Sequence, residues 1–307
     1  MIGIVAKAFY WPSVALIATL GGGITGFKVV EKFRPTVTEY IVSGDGYEAD
    51  IDAAMKKYES VKDGGDYAKS LTVDEMINVS YHLFEQEENT WSQGVGSSVA
   101  AGLVNQGIFS TTVHMGERFF EESNSASRVV ALYDRMYQIG DTTTTYWGGD
   151  QNYAGHPKQE YPNDEYKQMM GRYVSTALVF VVSPKTLLLD ETTSSGQPKT
   201  GIYETEQGYV VEAELDRRYG VMNYQKQMKT ISNLKYKPEF RYCHITVEMD
   251  KDLTLRRMVT HEYYTATTAA GLGSDAVGSL ATVYHHEAPP FGFPEVGDPV
   301  APYPASL

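Results

Sequence analysis

The chain is poor in cysteine, in positive charge and in recognisable catalytic signatures. A single cysteine, Cys243, occurs in 307 residues, which excludes an intrachain disulfide and the zinc motifs built on paired cysteines. Lys and Arg number 26 against 39 Asp and Glu, for a formal charge of −13. No basic surface is on offer to a phosphate backbone, so nucleic acid is set aside as a partner. G-x-S-x-G, H-E-x-x-H and Cys–His arrangements are missing, and with them the common nucleophile and metalloprotease chemistries. The run "LGGGITG" has the glycines of a phosphate-cradling loop but neither the Lys-Ser/Thr ending nor a preceding strand. No cofactor is expected, and the chain reads as a protein other than an enzyme.

The few chemistry-bearing clusters fit a bland reading better. His285, His286 and Glu287 are adjacent, and His244 and His261 occupy one hairpin. A metal needs three or four converging ligands, whereas neighbours on a strand point to opposite faces. The acidic stretches "FEQEEN" and "FFEESN" are expected to be charged turns rather than an acid–base pair. Asn78 begins a glycosylation sequon that falls inside a predicted helix.

Long apolar runs are confined to the start. From Ala8 to Phe27 twenty residues carry no charge, just enough to cross a bilayer as a helix, with Tyr10 and Trp11 near one end, where amphipathic rings favour the interface. Lys7 precedes the run and Lys28, Lys32 and Arg34 follow it, so charge leaves orientation open. A signal-anchor, a cleaved signal peptide and a buried helix all fit; the expectation adopted is an anchor at residues 1–34, with the main domain outside the cell.

A connecting region at 35–70 holds one predicted helix, Asp50–Tyr58. In "TVDEMINVSYHLFEQ" Thr72 and Glu75 form a capping box, and Val73, Met76, Ile77, Ser80, Leu83 and Phe84 make one stripe. Beyond Trp91 the period becomes two. A long small-residue segment runs to Val113, turns at "HMGE" and returns through "RFFEES", with Gly94, Gly96, Gly102 and Gly107 permitting curvature or close approach. "ASRVVALYDRMYQIG" fits either a strand or a helix and is taken as a strand; "TTTTYW", "RYVSTALVFVV", "TLLLDE", "GYVVEAELD" and "GSLATVYHHEA" are expected strands, and "GVMNYQKQMKTISNL" a helix. "DQNYAGHPKQEYPNDEYKQMMG" reads as a polar loop. The tail 289–307 carries six of the thirteen prolines and is expected to be extended or disordered.

"CHITVEMDKDLTLRRMVTHEYY" reads as an antiparallel hairpin with a three-residue turn, Asp250–Asp252. That register sets Met249 opposite Leu253, Val247 opposite Leu255 and Cys243 opposite Val259. Cys243, Ile245, Val247, Met249, Leu253, Leu255 and Val259 then share a dry face; Met258, Thr260 and His244 fall on the wet one, where Glu248 and Arg256 are diagonal neighbours. Burying the dry side chains is worth about 1.5–3 kcal/mol each, so something must cover them.

This order of elements resembles the lipoprotein-carrier (LolA/LppX-like) group of bacterial envelope proteins, in particular its membrane-anchored Gram-positive relatives. The residues behind the likeness are "LTVDEMINVSYHLFEQEENTWS", "GERFFEESNSASRVVALYDRMY", "GYVVEAELD", "NYQKQMKTI" and "ITVEMDKDLTLRRMVTHEYY", across about 71–288. The resemblance implies an α+β fold, mainly antiparallel: a curved incomplete β-barrel with helices on its concave side. It also implies an apolar ligand, a membrane lipid or lipopeptide, held there. Ile245, Val247, Met249, Leu253, Leu255, Val259, Met76, Leu83 and Met228 would line the site. The chain lacks the lipid-attachment cysteine of many relatives. The alternative is a non-catalytic structural or regulatory subunit with envelope protein partners.

Overall fold

The computed structural model describes residues 27–29, 44–100, 104–127, 131–232, 234–267 and 271–298. The expected membrane segment lies outside them except for Phe27. Among the described residues no helix is long and apolar enough to cross a membrane.

Helix α1 covers Gly44–Val61, longer at both ends than the predicted Asp50–Tyr58, and α2 is a single turn, Tyr67–Ser70. The capping box forms as its spacing predicts: Thr72 and Glu75 satisfy each other's backbone donors and start α3, Val73–Gln86. Asp74 and Glu75 add negative charge where the helix dipole is positive. Met76, Ile77, Ser80 and Phe84 are buried on the predicted stripe. Helix α4 is Asn163–Met170 and α5 is Met222–Ile231.

The strands are β1 Phe27–Val29, β2 Asn89–Ala100, β3 Val104–Met115, β4 Arg118–Ala126, β5 Ala131–Ile139, β6 Thr142–Gly148, β7 Lys158–Pro162, β8 Gly201–Glu204, β9 Gly208–Glu214, β10 Glu239–Asp250, β11 Leu255–Thr267 and β12 Leu272–His285. Eleven lie in the order β7-β6-β5-β4-β3-β2-β12-β11-β10-β9-β8, with β1 paired to β12. Every pairing is antiparallel. Two meanders, β2–β7 and β8–β12, are joined where β2 meets β12, and the sheet does not close.

Several expectations change. The segment to Val113 is two strands rather than one. The "polar loop" contains β7 and α4, whose Tyr166 and Met170 are buried. "RYVSTALVFVV" and "TLLLDE" form no regular strand, although Val174, Leu178, Phe180, Val181, Val182 and Leu187 are buried. Side chains hold part of the backbone there: Asn78 donates to the Val182 carbonyl (2.8 Å), and Ala177 N–H donates to Glu85 (2.7 Å). Apolar content made these runs look like strands; they make only isolated backbone contacts, among them Val181 N–H to the Gly220 carbonyl, Leu188 N–H to the Glu214 carbonyl and a single bridge Leu187↔Leu215, not a continuous ladder.

The hairpin turn is one residue later than expected. Leu253 N–H donates to the Asp250 carbonyl and Asp250 N–H to that of Thr254, so the three-residue loop is Lys251–Leu253. Leu253 takes φ +68°, a left-handed conformation costly for a side chain with Cβ, and its own side chain is fully buried. Burial of a leucine outweighs the strain. Met249 then pairs with Leu255, Arg256 bulges out, and Glu248 pairs with Arg257. The bulge moves the rest of β11 to the other parity. Met258 and Thr260 point inward, Val259 outward, and His244 and His261 become partners on one face. Glu248 bonds Arg257 (3.0 Å) while Arg256 turns to Asp250 (3.2 Å).

Among the described residues the five α-helices lie on one side of the sheet, its inner face. Helix α3 covers Ile245, Val247 and Met249 of β10 and Tyr209, Val211 and Ala213 of β9. Helix α4 covers Met136 and touches α5 at Gly171, φ +87°, where a Cβ would come within 2.8 Å of Asn223. On the outer face, Trp91, Val113, Phe120 and Tyr137 are covered by Phe291, Phe293 and Val296. The proline-rich tail is therefore not disordered over 289–298. Arg135, 2% exposed, donates to the carbonyls of Glu295, Val296 and Asp298 (3.0, 2.9 and 2.7 Å) and to Glu122 (2.7 Å).

Two outcomes test these packings by urea denaturation. Leu253→Ala loses about 2–5 kcal/mol of stability, as for other buried leucines. Arg135→Ala loses about 3–5 kcal/mol, because Glu122 is left as an unneutralised buried charge.

Candidate functional site

The inner face is not filled uniformly. Under α3 it carries large aliphatic side chains. Under α5 it carries small ones, because the alternation of β2 turns Gly94, Gly96, Ser98 and Ala100 inward and Val95 and Val99 outward. Gly96 cannot be larger, since a Cβ there would sit 2.2 Å from the Ser279 carbonyl. Large side chains in one half and small ones in the other leave a void beneath α5.

That void is a cavity of about 140 Å³. Ser98 and Ala100 of β2, Gln106 and Ile108 of β3, Ser123 and Ser125 of β4, Leu132 of β5, Tyr264 of β11 and Ala276 of β12 line it from the sheet. Tyr224, Gln227, Met228 and Ile231 close it from α5, together with Ser232. Apolar walls with a few hydroxyls and amides are the usual make-up of a small-molecule site.

Two buried carboxyls stand behind the ends of this lining without forming part of it. Glu262 is 6% exposed, and in register with Gly278 and, through it, Ser98. Gly278 leaves room for it: a Cβ there would lie 2.7 Å from Glu262 Oε1. Tyr224 donates to Oε1 over a long 3.4 Å, and Oε2 has no partner. Burial pushes this acid up to about 7, against the hydrogen bond from Tyr224. At the other end Asp134 pairs in register with Ser123; burial, and then the charge of Glu121, push it well above the usual carboxylate range. Glu121 is held by Arg172 through bonds of 2.7 and 2.6 Å. Glu85 is likewise pushed up to about 7 by burial, though Ala177 N–H and Leu178 N–H oppose it.

Of the nine predicted lining residues, Met228 is at the cavity. Ile245, Val247, Met249, Leu253, Leu255 and Met76 are at most 1% exposed and fill the core beneath and within α3. Leu83 packs on that core's margin, and Val259 faces outward. Cys243 is buried as expected, and burial raises its thiol well above its usual range. His285 stacks on Trp91 (3.8 Å), while His286 bonds Glu87 and the Leu255 carbonyl. Among the described residues no group of three His, Cys, Asp or Glu is arranged to hold a metal. Sequence reasoning missed Tyr264, Gln106, Leu132 and the inward serines; the small-residue alternation of β2 was the one signal that pointed to them.

The fold and site define an open antiparallel sheet protein with a helix-covered cavity over one half of its inner face. No protein-family model and no curated protein matches the chain. A solved structure described as "De novo design of transmembrane beta-barrels" aligns with 64% of this chain and 98% of its own, at 8% identity and a TM-score of 0.20; a likeness that low supports no inference about fold or function.

An acid whose folded pKa is raised contributes stability below its unfolded value, and that contribution is lost as pH rises through the folded one. Glu262 should therefore lower the melting temperature between about pH 5 and pH 8. In Glu262→Gln the fall is smaller, as read by circular dichroism melts of both proteins.

Proposed function

We propose that the protein is a non-catalytic binding module, which holds a small, mainly apolar ligand in the cavity between α5 and the inner face of the sheet. The observation that supports this most directly is the cavity itself, kept open by small side chains on β2, β4 and β12 and roofed by an amphipathic helix. Its volume is close to that of the roughly 150 Å³ enclosed engineered cavity that takes up benzene, but this pocket is partly open to solvent. It accommodates a ring or a short alkyl segment of a lipid or lipopeptide, not a whole acylated molecule. In this reading the open sheet is a curved incomplete barrel of the lipoprotein-carrier kind, with the helices on its concave side. The apolar segment from Ala8 to Phe27 tethers the domain outside the membrane of a bacterial cell.

A second reading also has a specific observation behind it. Most of the inner face is filled by the protein's own side chains, Met76 and Ile77 of α3 against Ile245, Val247 and Leu255. A plugged sheet suits a structural or regulatory subunit of an envelope assembly.

The two separate experimentally. Native mass spectrometry of the purified protein, and NMR titration with toluene and n-butanol, should show uptake of small apolar molecules. Met228→Trp fills the cavity from α5 and should abolish that uptake while the circular dichroism spectrum is kept. Absence of uptake by the unmodified protein favours the structural subunit.

A further inference from the structure

We infer that the cavity takes uncharged amphiphiles, short-chain alcohols or carboxamides, with the polar end against Ser123, Ser125 and Gln227 and the alkyl end over Ala100 and Ala276. The inference rests on the binding-module reading and specifies its ligand class.

Three features of the lining combine. First, none of the residues that line the cavity is acidic, basic or histidine, in a chain of which 21% is charged. Its two phenols, Tyr224 and Tyr264, are pushed further from ionisation by burial. Glu121, which meets the lining at Gln227 (3.5 Å), is already paired with Arg172. Glu262 stands behind Tyr224, and its second oxygen is fully enclosed. An ion entering this space finds no counter-charge, so the loss of its hydration is not offset.

Second, the lining is not apolar throughout. Ser123 and Ser125 are half-buried on the inner face of β4. Gln227 lies over the same strand, since it reaches Glu121, two residues before Ser123. Hydroxyls and a carboxamide both donate and accept. An alcohol or a carboxamide matches them in both senses, whereas a hydrocarbon leaves them unanswered.

Third, this polarity is not spread evenly across the sheet. From β4 the strands run β3, β2, β12. Ser98 and Gln106 face each other on β2 and β3 in the middle. At the far side the lining becomes Ala100 and Ala276, paired in register, with the Tyr264 ring beyond them. Three strand spacings, about 14 Å, separate β4 from β12. The two ends of one short ligand therefore meet different chemistry. Met228 and Ile231 of α5 cover the apolar part of such a ligand from above.

The test titrates the full chain at pH 7, followed by NMR, with n-butanol, butyramide, butyrate, n-butylamine and toluene. Butyrate and butylammonium are both ionised at this pH; each is expected to bind at least about tenfold more weakly than n-butanol. With Ser123→Ala and Ser125→Ala combined, n-butanol and butyramide should lose about two- to tenfold in affinity, and toluene none. Nuclear Overhauser contacts should set the methyl group of bound n-butanol near Ala100 and Ala276 and its hydroxymethyl group near β4. An ion bound as tightly as n-butanol, or a methyl group found against β4, overturns the inference and leaves the binding-module reading standing. So does a double variant that keeps its full affinity for n-butanol. Should that variant fail to fold, the ion comparison and the Overhauser contacts of the unmodified protein still decide. Binding of none of the five probes overturns both readings.

Discussion

The pairing of β2 with β12 is the contact on which the rest of the structure depends. It runs from Trp91↔His285 to Ala100↔Ala276 and joins the first strand of one meander to the last strand of the other. Without it there would be two separate sheets, each with an exposed edge. The strands approach closely only because Gly94 and Gly96 carry no side chain, a Cβ on Gly96 meeting the Ser279 carbonyl and Leu280 Cα. The same absence of bulk leaves space over the inner face. One local demand, close strand approach, thus produces both the continuous sheet and the cavity.

A sheet with two faces needs two covers, and this chain uses different chemistry for each. The inner face under α3 is aliphatic and filled. The inner face under α5 is small and polar-tinged, so the helix bridges a gap. The outer face of β2–β6 is aromatic and is covered by the C-terminal arm, pinned by Arg135 through the backbone carbonyls of Glu295, Val296 and Asp298. Proline suits that arm, since its missing N–H is no loss where the backbone acts through its carbonyls.

Placing carboxyls in such an interior carries a free-energy cost that apolar packing must offset. Glu122 and Glu121 have arginine partners; Glu262 and Asp134 have none. Burial without a counter-charge pushes both acids upward, Glu262 to about 7. An unpaired buried acid is a destabilising choice for a purely structural core.

The sequence by itself determined the elements whose signals are local. The capping box at Thr72, the stripe of α3, the amphipathic α5 and the alternation of Tyr209, Val211, Ala213 and Leu215 all stand where spacing put them. It also settled most of the hairpin's dry face, since six of those side chains are inward in either register. What tertiary structure decided is whatever depends on a distant partner. Apolar runs at 174–189 found side-chain anchors and isolated backbone contacts instead of a strand ladder. Leu253 accepted a strained backbone to reach the core, and the resulting bulge at Arg256 exchanged Val259 for Met258. The arm found an aromatic groove made by four other strands. The cavity belongs to this second class, because a void is set by the sum of side chains from six strands and a helix, and no one segment records that sum.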